Sequence, residues 1–168
     1  LAKRKAARQA GAPESRQLPD NDEIEAALRA YRSLYQSEYP SRLRALRESA
    51  LDVMNGLREF NPHLTGTVLG GTAGDAAGIT LHLFVDSPKA VELFLINRGV
   101  AFRTRESRFY SGELTIDAPL LEFDEDGTTI RLVLLSPREM RSRLSTTPGG
   151  RAIERADCNA LRALLAGS

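Results

Sequence analysis

The residues best suited to chemistry fall between Leu64 and Leu95, in the stretch LTGTVLGGTAGDAAGITLHLFVDSPKAVELFL. Gly70 and Gly71 bring main-chain N–H groups into the open, where clustered amides hold phosphate oxygens, and the Thr72 hydroxyl stands beside them. Taken alone, such a run reads as an ordinary turn. Beyond it, Ile79, Leu81, Leu83 and Val85 alternate with Thr80, His82 and Phe84. Thr80 and His82 therefore share one face of a strand and are placed to meet one ligand. A single histidine on a strand is read first as a hydrogen-bonded structural residue. Arg131 is the polar residue of another apolar strand, and a guanidinium suits two-point pairing with phosphate oxygens. Asp75 precedes the first of these strands and Asp86 follows it. An extended chain from one to the other spans on the order of 35 Å, too far for a shared metal.

Other chemistries are excluded by residue type. With one cysteine, Cys158, and two histidines, the chain has neither an intramolecular disulfide nor a zinc-ligand spacing. The glycine run contains no lysine, so the phosphate loop required by ATP-dependent ligases such as UDP-N-acetylmuramate–alanine ligase is missing. Arg98, Arg103, Arg105 and Arg108 interleave with Phe102, Phe109 and Tyr110, a mixture that binds nucleic acid. A solvated edge strand with basic gatekeepers has the same composition, and that reading is preferred. The 23 Lys and Arg against 22 Asp and Glu leave a charge of +1, which does not suit a surface built wholly for nucleic acid. No apolar run approaches the roughly 20 residues of a membrane span. A reducing, cytoplasmic setting is expected, with no membrane partner.

Stepping along the chain, residues 1–19 read as a mobile basic tail carrying Lys3, Arg4, Lys5, Arg8 and Arg16, and residues 20–168 as one domain. A helix is expected from Asn21, capped by Asp20, Asn21 or Asp22 and ended by Pro40, and a second from Ser41 to Phe60. His63–Leu69 is expected as a strand running into the glycine turn, and 79–85 as a second strand. Ser87 and Pro88 start a helix that ends near Gly99. Strands follow at 100–105, 112–116, 120–123 and 129–135, with a turn at 124–127. A short helix is expected from Ser136 to Leu144. A last one uses Ile153, Ala156, Ala160, Leu161, Leu164 and Leu165. The order predicts an α+β fold, with a mixed sheet flanked by N-terminal and C-terminal helices.

Strand, Gly-Gly-Thr, loop, alternating strand and helix resemble the polymerase-beta-like nucleotidyltransferase superfamily. Over residues 24–135 the chain is similar to small bacterial members, through Leu64, Gly66, Val68, Leu69, Gly71, Thr72 and Ala73, then Val91, Glu92, Phe94 and Leu95. The resemblance implies a nucleotide held at Gly70, Gly71 and Thr72, and two metal ions held by three carboxylates. The carboxylate positions fall on Gly78, Thr80 and Arg131, none of them acidic. The resemblance therefore implies a degenerate, inactive relative that retains nucleotide or partner binding through Gly70, Gly71, Thr72, Thr80, His82 and Arg131, with no cofactor. Two alternatives stand beside it. One is an active nucleotidyltransferase that uses Mg²⁺ on unusual ligands such as Asp75. The other is a module for protein interaction.

Overall fold

The computed structural model describes residues 20–74 and 77–167, with the side chains of 32–37 left aside. The tail expected over residues 1–19 and the acid at Asp75 lie outside them. The chain divides into two compact units, Leu1–Arg42 and Leu43–Ser168. In the first, the described part is the opening of helix α1 (Asn21–Gly56). Asp20 caps it, its Oδ1 accepting from the Glu23 amide at 2.8 Å. Leu28 and Tyr31 are exposed there. Pro40 does not end the helix as expected but lies within it. Proline removes one donor of the ladder. Pro40 is exposed, so water can satisfy the carbonyl that this leaves over.

The second unit holds a five-stranded mixed sheet in the order β1-β2-β5-β4-β3. Its strands are β1 (Pro62–Thr65), β2 (Ile79–Phe84), β3 (Arg103–Ser111), β4 (Leu114–Glu125) and β5 (Thr128–Leu135). The α+β class and the mixed sheet agree with the sequence, and β1 and β2 are antiparallel neighbours. β2 and β5 run parallel, and the remaining pairs are antiparallel. One face carries Ile79, Leu81, Leu83, Leu121, Ile130, Leu132 and Leu134 into the main core, with Ala50 and Met54 of α1, Leu57 directly after it, Val91 and Leu95 of α3 (Pro88–Asn97), and Leu161 and Leu165 of α4 (Cys158–Ala166). The other face buries a smaller cluster of Phe84, Phe109, Ala118, Val133 and Leu135 beneath Leu144, with Ile153 packed against it.

Four expected strands need correction. The first strand stops at Thr65, and residues Gly66–Gly70 form a short helix, α2. Gly66 turns the chain with φ of 76°, a conformation that only glycine adopts without strain. The strands expected at 100–105, 112–116 and 120–123 are two longer ones joined at Gly112 and Glu113, where Gly112 has φ of 61°. Pro119 lies inside β4, because the β4–β5 register ends at Leu120 and its missing N–H interrupts no ladder. The expected turn at 124–127 is a tight hairpin with positive φ at Asp126 and Gly127, the pattern that matches strand twist.

The C-terminal helices are also shorter than expected. Residues Pro137–Arg141 form a 3₁₀ turn only. α4 starts at Cys158, where Asp157 caps the Ala160 amide at 2.8 Å. Ala156 lies before the helix and bridges Leu64 instead.

Because Gly66 holds a left-handed conformation and Gly70 does not, the two should answer differently to alanine. Gly66→Ala is expected to cost about 1–2 kcal/mol in urea unfolding. Gly70→Ala, in a helix with nothing within 4 Å of the added methyl, should be neutral or stabilising by up to about 1 kcal/mol.

Candidate functional site

The register brings one polar row across all five strands: Thr65 of β1, Thr80 of β2, Arg131 of β5, Glu122 of β4 and Arg103 of β3. These side chains share one face because paired residues in a sheet point the same way. Thr65 Oγ1 donates to the Thr80 carbonyl at 3.2 Å. Arg131 Nε donates to Glu122 Oε2 at 2.9 Å. Arg103 donates to Glu122 Oε1 from Nε at 3.2 Å and Nη2 at 3.0 Å. Arg105 Nε stands 3.5 Å from the same oxygen.

Glu122 is the buried acid of the row, with its side chain 11% exposed. The Arg103 guanidinium above all holds its carboxyl below the usual range; burial pushes the other way, and Arg131 and Arg105 add to the lowering. The carboxylate is therefore ionised at neutral pH, and both of its oxygens are occupied by cations. Arg131 stays 40% exposed. Beyond Nε, no described residue takes a hydrogen bond from its guanidinium.

Gly78 closes the row at the start of β2. A Cβ built there would lie 2.7 Å from Arg131 Nη1 and 2.7 Å from the Thr129 carbonyl oxygen. Both distances are shorter than van der Waals contact allows, so the guanidinium occupies the space of a side chain at position 78. The Cβ position of Gly66 is 3.9 Å from Thr80 Cβ. Thus Gly66, Gly78, Thr80 and Arg131 converge. Sequence reasoning did not single out Glu122, and Gly66 entered it only through a resemblance.

The remaining expected site residues are placed elsewhere. Gly71 lies by the second half of α1, its Cβ position 3.6 Å from Arg47 Nη2 and 3.8 Å from Leu43. The Gly71 and Thr72 amides both donate to the Thr67 carbonyl, at 2.9 and 3.0 Å. Arg47 donates to the Val68 and Leu69 carbonyls at 3.0 and 2.9 Å, so the turn satisfies its own polar groups. Gly70 ends α2 and is exposed.

His82 shares the face of Thr80 but is buried, edge-on to Phe109 with ring centroids 5.4 Å apart. Burial, then the charge of Arg155, lowers its pKa to about 4. Arg155 lies over the Phe84 ring and binds the Met140, Glu139 and Ser142 carbonyls.

Asp86 follows β2 at the end opposite Gly78, roughly 25 Å away along extended chain of this length. Cys158 lines a hollow of about 410 Å³ with His63, Arg58 and Arg162, a proximity that sequence spacing could not show. Among the described residues no cluster of His, Cys, Asp and Glu is arranged to hold a metal, and no helix is long and apolar enough to cross a membrane.

Because His82 is held neutral when folded, the unfolded chain binds the extra proton between its ordinary pKa of 6.5 and about 4. Its contribution is complete above pH 6.5 and is lost as pH falls toward 4. Wild type should lose about 3 kcal/mol more than His82→Leu between pH 7 and pH 4. Equal losses in denaturant titrations of the two proteins would contradict this. Comparison of the chain with family models, with curated proteins and with solved structures found no match.

Proposed function

We propose that this chain is a catalytically inactive relative of the nucleotidyltransferases that binds a phosphate-bearing ligand, a nucleotide above all, at the Thr80–Arg131 row. The observation that carries the reading is the Arg131 guanidinium lying in the space above Gly78. It puts a positive charge where the resemblance implies a metal ion. Gly66, directly after β1, lies beside Thr80, whereas Gly71 of the Gly70-Gly71-Thr72 run on which the resemblance rests lies by Arg47.

The residues of the row do not fit Mg²⁺. Gly78 has no ligand atom, Thr80 offers a neutral hydroxyl, and both Glu122 oxygens already take hydrogen bonds or ion pairs from guanidinium groups. A hard cation needs anionic oxygens to offset its dehydration. An anion meets the opposite conditions. Arg131 is fixed through Nε by Glu122, which leaves its Nη groups oriented and without a hydrogen-bond partner among the described residues, so they can donate to phosphate oxygens. Thr80 adds a hydroxyl from the adjacent strand. Because the guanidinium is already held in place, little rotamer entropy is lost when a ligand arrives.

Calorimetry with ATP, GTP, CTP and UTP, each with and without EDTA, tests the reading. Binding should survive EDTA, and Arg131→Ala should weaken it by about 1.5–3 kcal/mol, roughly ten- to hundredfold. Labelled nucleotide with Mg²⁺ or Mn²⁺ should release no pyrophosphate. Binding that disappears with EDTA and ignores Arg131→Ala would overturn the reading.

A further inference from the structure

β3 is one of the two edges of the sheet, and its outer side is only partly covered. At one end, Tyr110 donates to the Ser145 carbonyl and accepts from the Ser145 amide, both at 2.9 Å. The β3–β4 register pairs Ser111 with Leu114 across the hairpin. Main-chain groups alternate sides along a strand, so Thr104, Glu106 and Arg108 point their N–H and C=O groups the same way as Tyr110. No described residue bonds to them there.

Two usual defences of an edge strand, proline and a bulge, are missing from this segment, although Arg103, Arg105, Glu106 and Arg108 are exposed charges. Its arginines do not cover the edge either. Arg103 and Arg105 are drawn across the sheet face to Glu122, and Arg108 donates to Asp117 at 2.8 Å. The aromatic residues are not free to stack on bases. Phe109 is buried, and Phe102 and Tyr110 are partly so. Nucleic acid is disfavoured for that reason.

We propose that the open edge from Arg103 to Arg108 takes an extended acidic segment of a partner protein as a sixth, antiparallel strand. Ser145 already pairs with this edge in the antiparallel sense and leaves its next positions vacant. An incoming strand in that sense sets alternate residues opposite Arg105 and Arg103, both of which face the polar row. An acid-x-acid pattern puts two carboxylates beside those guanidinia, which stay exposed although Glu122 holds both and Asp124 stands 3.8 Å from Arg103 Nη1. The residue between them faces Thr104, and the one opposite Glu106 is best uncharged. Self-pairing of two copies about this strand would set Glu106 against its own counterpart, which is unfavourable.

The probe is a capped peptide of alternating glutamate and valine, titrated into the isotope-labelled full chain and followed by NMR. The Thr104, Glu106 and Arg108 amides should shift in a saturable way. Affinity should drop roughly fivefold both with Arg105→Ser and with lysine in place of glutamate in the peptide. Glu106→Pro removes an outward N–H without touching the β4 ladder and should abolish the shifts, with Arg105→Ser as the milder check. Four results would overturn the proposal: no shifts at millimolar peptide, equal binding of the lysine peptide, perturbation at Thr80 and Arg131 instead of the edge amides, or a dimer of the free chain with those amides broadened. Displacement of the peptide by oligothymidylate that leaves the edge amides unshifted would assign the arginines to nucleic acid and sink it as well.

Discussion

An ionised carboxylate buried on a sheet needs positive charge beside it, and Glu122 imposes that condition on everything around it. Arg103, Arg131 and, more loosely, Arg105 all turn toward it. Those contacts tie β3, β4 and β5 together on the face that has only a small apolar cluster. They also decide what the row can bind. With its own acid paired and three guanidinium groups around it, the row has the charge that the proposed phosphate-bearing ligand needs. The two proposals use different parts of this arrangement: the Nη side of Arg131 for a phosphate, and the outer sides of Arg103 and Arg105 for an acidic strand.

The division of labour between the faces follows from the parallel β2–β5 pair at the centre. Its residues of one parity, Ile79, Leu81, Ile130 and Leu132, are fully buried against helices. The other parity starts polar, with Thr80 and Arg131, and becomes apolar at Phe84, Val133 and Leu135. Leu144 and Ile153 cover the apolar end, and Arg155 secures that segment over Phe84. His82 sits beneath it, which accounts for its low pKa and for its separation from the site despite sharing a face with Thr80. Only the polar end stays open.

Much of this layout was legible in the residues. Alternation at 79–84 and the Ser87-Pro88 helix start are local signals, and they placed β2 and α3 within a residue or two. The α+β class followed from element order. Several of the failures share a cause, since they depended on contacts distant in sequence. Pro119 reads as a strand breaker until β4 is seen to outrun its pairing with β5. The polar turn that holds Gly71 depends on Arg47, more than twenty residues earlier in the chain. Gly66 and Gly70 look alike in the sequence, and only the left-handed φ of the first separates them. The clustering of Gly78, Thr80 and Arg131 was anticipated through a resemblance. Glu122 was invisible, because an acid in an apolar run says nothing about which arginines the sheet register will set beside it.

The central claim is that a fixed guanidinium stands where divalent metal would otherwise sit. Manganese relaxation tests it most directly, because Mn²⁺ broadens the NMR signals of any amide near its binding site. With Mn²⁺ added to the labelled wild-type chain, the amides of Gly78, Thr80 and Arg131 should keep their intensity at concentrations that already broaden exposed acidic turns such as Asp124–Gly127. Selective loss of the Gly78, Thr80 and Arg131 signals at lower Mn²⁺ than those turns require would contradict the account.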